Sequence, residues 1–234
     1  MANRAGWALA LLVMALFASL GAWQLDRARQ KQAMLEQAGR TLATRVPVPL
    51  SAAAQPAAAY QWAQGEGRFL ALPAVLLDNQ SHQGRPGVRV YRVFQPAGDA
   101  VPLLVDLGWL PLPGDRTLPR IESFASTPRV SGLLVPPPSS GLASPVISRQ
   151  AGGELLATRL DPAVVASELG LPALAPRVLR LDPGVPAGYA RDLDILPNTM
   201  PPERHVGYAV QWFGLAAAVL VTALVLTLRR RKRR

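Results

Sequence analysis

The stretch His205-Val206-Gly207-Tyr208-Ala209-Val210-Gln211-Trp212-Phe213 runs into an uncharged apolar segment ending at Leu228, and Arg229-Arg230-Arg231-Lys232-Arg233-Arg234 follows at once. The 23 residues from Val206 to Leu228 exceed the ~20 that a helix needs to cross a hydrocarbon core. A dense basic cluster directly behind such a run marks that end as cytoplasmic. Here alone a histidine, aromatic side chains and a candidate span coincide. Both the arrangement of the chain and its best candidate ligand are therefore read outward from this point.

A second uncharged run, the 21 residues Ala5 to Leu25, lies near the amino terminus. Two spans place both termini on one side of a membrane and the 180 residues from Asp26 to His205 on the other. Arg27, Arg29 and Lys31 after the first span argue against that orientation. The six-residue basic tail outweighs them, because it is denser and because long translocated domains escape the charge rule. The expected boundaries are 1–4 cytoplasmic, 5–25 first span, 26–205 extracytoplasmic domain, 206–228 second span and 229–234 cytoplasmic tail. The alternative for the first span is a cleaved signal peptide. Its uncharged core is longer than the usual ~7–15-residue hydrophobic region, and Ser19-x-Gly21 is a poor cleavage site. Nothing before the span reads as a transit peptide, which favours a bacterial plasma membrane with a periplasmic central domain. Trp7, Trp23, Tyr208 and Trp212 fall near the ends of the spans, where aromatic belts are ordinary.

Composition removes many functions. The formal charge of +10 includes six charges in the tail, leaving the rest of the chain at +4. A basic run behind a span is a topology signal, and no aromatic-interleaved basic patch points to nucleic acid. The absence of cysteine excludes disulfides, thiolate metal sites and thiol nucleophiles.

The domain between the spans is expected to be α+β and mainly antiparallel β, as an open sheet or a partly closed barrel. The helix of the first span continues to about Leu42, and Thr44 to Ala59 reads as a Pro/Ala linker. Strands are expected at Arg68–Ala71, Val75–Asp78, Val88–Phe94, Leu103–Leu110, Arg129–Val135 and Arg177–Leu181. In the third of these, apolar and basic residues alternate, as on a half-buried strand. Pro136 to Gly153 reads as a long loop. Asp161-Pro162 opens a short helix, with Asp161 as cap and Gly170 as its stop.

Chemistry is scarce in this domain. The chain has two histidines, and no Gly-x-Ser-x-Gly elbow, phosphate loop or zincin motif accompanies them. His82 reads as a solvated loop residue. Asp78, Asp106 and Asp115 read as turn chemistry, and Arg85, Arg89 and Arg92 as a solvated strand face. No catalytic residue is expected.

His205 is different. Pro201-Pro202-Glu203 is a helix start, with proline where the amide is orphaned and an acid near the positive helix end. His205 then falls in the first turns, at the outer boundary. Positions 205, 208 and 212 place His205, Tyr208 and Trp212 on one face. An imidazole beside flat aromatics, with Arg204 adjacent, suits a haem: ligand to iron, rings on the macrocycle, arginine on a propionate. A histidine next to an aromatic belt can equally be an interfacial anchor.

Four segments resemble the Surfeit locus protein one family, the cytochrome c oxidase assembly factors. They are Gly21-Ala22-Trp23-Gln24-Leu25-Asp26-Arg27; Leu77-Asp78-Asn79-Gln80 followed by Gly84-x-x-Gly87; Val105-Asp106-Leu107-Gly108-Trp109-Leu110-Pro111; and Asn198 to Phe213. The resemblance implies a non-catalytic assembly factor that assists haem a binding or insertion into the oxidase catalytic subunit. The alternative is a membrane-anchored scaffold that stabilises that subunit without holding haem. The resemblance implies His205 as ligand to haem iron, and the reading of the residues places Tyr208, Trp212 and Arg204 around the cofactor. Trp23, Gln24, Gly108, Trp109 and Gln211 become partner-contact or structural positions. The implied partners are the oxidase catalytic subunit, the enzyme of haem a synthesis and membrane lipid. The family's usual arginine before Gly-Trp is Leu107 here, its tryptophan before the late helix is missing from Gly153 to Leu160, and Val46 to Ala59 finds no counterpart.

Overall fold

A computed structural model describes residues 2–56, 60–122, 129–138, 146–195 and 200–232. The chain divides into two compact units. One comprises residues 1–36 and 199–234, and the other residues 37–198. Helix α1 spans Ala2–Thr44 and helix α3 spans Pro202–Lys232, and both are long and apolar enough to cross a membrane. The uncharged 21 residues of α1 alone are about 32 Å long at 1.5 Å per residue. The rest of α1 continues as helix without a break, as the apolar spacing up to Leu42 predicts.

The second unit is a sheet. Its strands are β1 Pro47–Pro49, β2 Gln61–Phe69, β3 Val75–His82, β4 Arg85–Pro96, β5 Leu103–Pro111, β6 Arg129–Val135, β7 Ile147–Arg149, β8 Leu155–Ala157 and β9 Val178–Leu181. Their order is β1-β2-β6-β9-β5-β4-β3-β8-β7, and β2 also pairs with β4. That extra pairing closes a ring of five strands, β2-β6-β9-β5-β4. Strand β2 gives its first six residues to β6, Gln61 to Glu66, and its last three to β4, Gly67 to Phe69. Glycine is required where it changes partner. A Cβ on Gly67 would lie 2.1 Å from the carbonyl oxygen of Gln95 and 2.6 Å from the ring of Phe94.

Closure gives the sheet two covered faces. Phe69, Val88, Val90, Phe94, Leu103, Val105, Leu107, Val130, Leu134, Leu179 and Leu181 belong to one buried cluster. Tyr91, Val93, Leu104, Leu133 and Val178 belong to a second, with Val165 and Ala166 of helix α2 (Pro162–Glu168) and with Ala38 of α1. Asp161 caps α2 by accepting from the amide of Ala163, and Gly170 follows at φ +68°. The cap-proline-glycine reading of that helix therefore holds.

Several expectations are corrected. The sheet is mixed: β1–β2, β3–β8 and β5–β9 are parallel, while the other six pairings are antiparallel. The expected linker at 44–59 contains β1 and a 3₁₀ turn, Leu50–Ala54, whose Leu50 and Ala53 are buried in the first cluster. Alanine and proline there pack rather than spool, which composition alone does not distinguish; residues 57–59 lie outside the described residues. The expected loop at 136–153 contains β7, and β8 follows at Leu155, where no strand is expected. Residues 139–145 of that loop lie outside the described residues.

The largest correction concerns charge. Arg89 and Asp106 are buried, and Arg92 is half-buried; of the three arginines only Arg85 is exposed. Asp106 sits in the middle of β5, not in a turn. Its carboxylate accepts from Arg89 at 2.8 Å and lies 3.6 Å from the guanidinium of Arg180, also buried. Arg180 further donates to the backbone carbonyls of Asp192 and Asp194. Beside them burial pushes the Tyr91 hydroxyl far above its ordinary range, so it stays protonated. Alternation looks like solvation when one face of a strand is wet, but here Arg89 lies on a covered face and is neutralised from within by Asp106. Asp78 holds Arg116 through two 2.8 Å hydrogen bonds. Asp115 alone keeps the expected turn role, accepting from the amide of Thr117. Replacing Asp106 by Ala leaves two buried guanidiniums short of their counter-charge. A loss of about 3–5 kcal/mol is expected, read as a lowered thermal midpoint of the detergent-solubilised chain by circular dichroism. A loss below about 1 kcal/mol, the scale of an exposed pair, would mean that solvent reaches the cluster.

Candidate functional site

In the helical unit α1 and α3 run antiparallel, and contacts join them from Trp7 and Thr227 at one end to Lys31 and Met200 at the other. Trp7 donates from Nε1 to Thr227 Oγ1 at 3.1 Å. The rings of Phe17 and Trp212 lie 5.6 Å apart. The ring of Phe213 rests on Gly21, where a Cβ would come within 2.8 Å. Gln24 meets His205 at 2.7 Å, and the ammonium of Lys31 donates to the carbonyl of Met200. Small residues let the helices approach, as membrane-spanning pairs require. The most buried positions of α3 are Pro202, His205 and Ala209, and the half-buried Trp212, Ala216, Val219, Ala223 and Thr227 continue the stripe at spacings of three and four.

His205 is 7 % exposed. Its Nδ1 donates to the side-chain oxygen of Gln24. An amide oxygen only accepts, so this partner fixes the proton on Nδ1 and leaves the lone pair on Nε2. Among the described residues Nε2 has no hydrogen-bond partner, and it is buried. An orphaned polar atom of that kind costs about 1–3 kcal/mol. The cations within electrostatic reach of the ring are Lys31 and Arg27. Neutral imidazole with Nδ1 tied down and Nε2 free is the form that binds metal.

The other predicted residues are distributed around this point. Trp212 shares the buried stripe with His205 and stacks on Phe17. Tyr208 stands roughly 60° around the helix from His205 and is 42 % exposed. Trp23, next to Gln24, is 54 % exposed, and Arg204 and Gln211 are also on exposed positions. The structure thus brings together His205 and Gln24, with Lys31 and Arg27 near them, and leaves Trp23, Tyr208 and Arg204 facing outward.

The motif on β5 belongs to the sheet unit. Leu107 is an extra residue in β5, a bulge set against the Val90–Tyr91 step of β4, and Gly108 after it takes φ +113°. Its amide is held by the Asp106 carboxylate at 3.0 Å. The neighbouring backbone is bound to the 189–190 segment: Tyr189 donates to Leu107 at 2.7 Å and Trp109 donates to Ala190 at 2.8 Å. The Trp109 indole donates to the carbonyl of Gln80 at 3.0 Å, and its ring lies 5.4 Å from that of His82. His82 is therefore no solvated loop residue. It ends β3 and lies 3.5 Å from the Asp192 carboxylate.

A model of the SURF1 family matches residues 11–217. The chain belongs to the SURF1 family. No curated protein matches it. The family is one of cytochrome c oxidase assembly factors, not one of known enzymes. The matched range takes in the Trp23-Gln24, Gly108-Trp109 and Asn198–Phe213 segments on which the resemblance rests; residues 198–199 of the last segment lie outside the described residues. Leu107, which stands where the resemblance leads one to expect an arginine, is fully buried in the first cluster, so this position serves packing here. Sequence reasoning missed the Arg89-Asp106-Arg180 cluster. The signal was present: Asp106 stands alone in an apolar run, Leu103 to Leu110, that is too continuous for a strand with a wet face. It also missed the contact of Gln24 with His205, for which two apolar runs of similar length give no register. Gly108→Ala tests the β5 motif. A Cβ there would meet the Ala190 carbonyl at 2.7 Å, in a backbone region that costs a non-glycine residue about 1–3 kcal/mol. A fall in stability of at least that size is expected in thermal or denaturant unfolding, with helix content retained.

Proposed function

We propose that this SURF1-family chain assists the binding of haem a and its insertion into the catalytic subunit of cytochrome c oxidase, with His205 as the ligand to haem iron. The observation that carries this reading is the buried, unpartnered Nε2 of His205, whose other ring nitrogen is already committed to Gln24. Such an atom fits a metal better than it fits an interfacial anchor, since an anchoring histidine would present its nitrogens to water or headgroups. Haem would supply an iron that accepts the Nε2 lone pair, and two propionates. The outward Tyr208 and Trp23 offer flat apolar surface beside the ring, while Arg204, Arg27 and Lys31 offer the cations that carboxylates need.

The setting we infer is a bacterial plasma membrane, spanned by residues 5–25 and 206–228. Both termini are cytoplasmic and the sheet unit is periplasmic, where the oxidase subunit would be met. The basic tail and the two long apolar helices support it. Purifying the full chain from a haem a-producing host tests the cofactor. The wild type is expected to carry a Soret band, and His205→Ala is expected to lose it. An undiminished band in His205→Ala, or none in the wild type, refutes the ligand role. Normal oxidase haem content in cells carrying only that variant would favour the scaffold reading.

A further inference from the structure

Gln24 and His205 lie 181 positions apart in the chain, yet their side chains meet at 2.7 Å. The contact is bracketed on both sides. Toward the amino end of α1 the Phe213 ring is seated on Gly21. Toward the other end Ala28, one turn beyond Gln24, is buried, and Lys31 reaches the Met200 carbonyl. These contacts leave the imidazole little freedom to turn. Among the described residues its Nδ1 proton has one acceptor, a neutral amide oxygen.

We propose that Gln24 is the positioning residue of the haem site, holding His205 in the Nδ1–H form so that Nε2 faces the iron as a lone pair. The proposal rests on the haem reading above. A histidine that ligates metal usually donates its other N–H to a partner that fixes tautomer and ring orientation, and the partner's charge sets how strongly the imidazole donates. Carboxylates draw the proton and strengthen the ligand. The amide at position 24 orients the ring without doing so. A weaker donor suits a protein that must release the cofactor to another subunit.

The test uses full-length chains purified from a haem a-producing host: wild type, His205→Ala, Gln24→Leu and Gln24→Glu. Haem affinity is measured by titration of the stripped proteins, with the Soret spectrum and the reduction potential of the bound haem as further readouts. Gln24→Leu, which keeps the size and removes the acceptor, is expected to weaken haem binding by roughly 10–100-fold. Gln24→Glu is expected to restore binding and to lower the reduction potential below that of the wild type, because a more basic imidazole favours the ferric state. A residue that merely packs the helices together would not move the potential. Unchanged affinity in Gln24→Leu, or a Gln24→Glu potential equal to that of the wild type, overturns the proposal while the loss of haem in His205→Ala leaves the ligand assignment standing. If Gln24→Leu fails to fold, as judged by circular dichroism, the Gln24→Glu potential alone decides. If His205→Ala binds haem as the wild type does, both readings fall together.

Discussion

Asp106 stands where the barrel is most demanding. Where β4, β5 and β9 run side by side in the five-strand ring, Arg89 and Arg180 are buried and have no wet surface on which to leave their charge. One carboxylate between them makes the arrangement tolerable. The same carboxylate holds the amide of Gly108 and so fixes the bulge that aims Trp109. Around that bulge the backbone of 189–190 is fastened to β5, and the carbonyls of Asp192 and Asp194 complete the shell of Arg180. Loss of Asp106 would therefore reach beyond one ion pair. Its partners lie on three different parts of the chain, and each depends on it for a different bond.

This arrangement explains which features could be read from residues alone. Local signals survived folding: the cap, proline and glycine of α2, the continuation of α1 to Thr44, and the start of α3 at Pro202. Each depends on chemistry within a few residues. What failed depended on the partner across the sheet. The Arg89 strand reads as half-wet because alternation carries no information about what covers the second face. The short strands β1, β7 and β8 have three residues each, too few to show a period. Parallel pairs such as β5–β9 join segments far apart in sequence, so no turn announces them.

The candidate site was legible in part for a similar reason. His205 stands out because histidine is rare in this chain and because it meets an apolar span. Its relation to Trp212 follows from helical spacing. Its relation to Gln24 does not, since the register between two apolar helices is set by small residues and ring contacts such as Phe213 on Gly21. The SURF1 family match covers both residues. The hydrogen bond and the orphaned nitrogen give them a chemical reason that membership lacks.

The distance in sequence between Gln24 and His205 has a temporal meaning. A ribosome working at about 5–20 residues per second needs roughly 10–40 s to make the 181 positions between them. Throughout that time the amide has no imidazole to hold. The pair forms only after the last helix has been synthesised and has inserted against the first. A truncated or misinserted chain would thus display neither a fixed tautomer nor a free Nε2. Completion of the last helix and the pairing of Gln24 with His205 are, in this molecule, the same event.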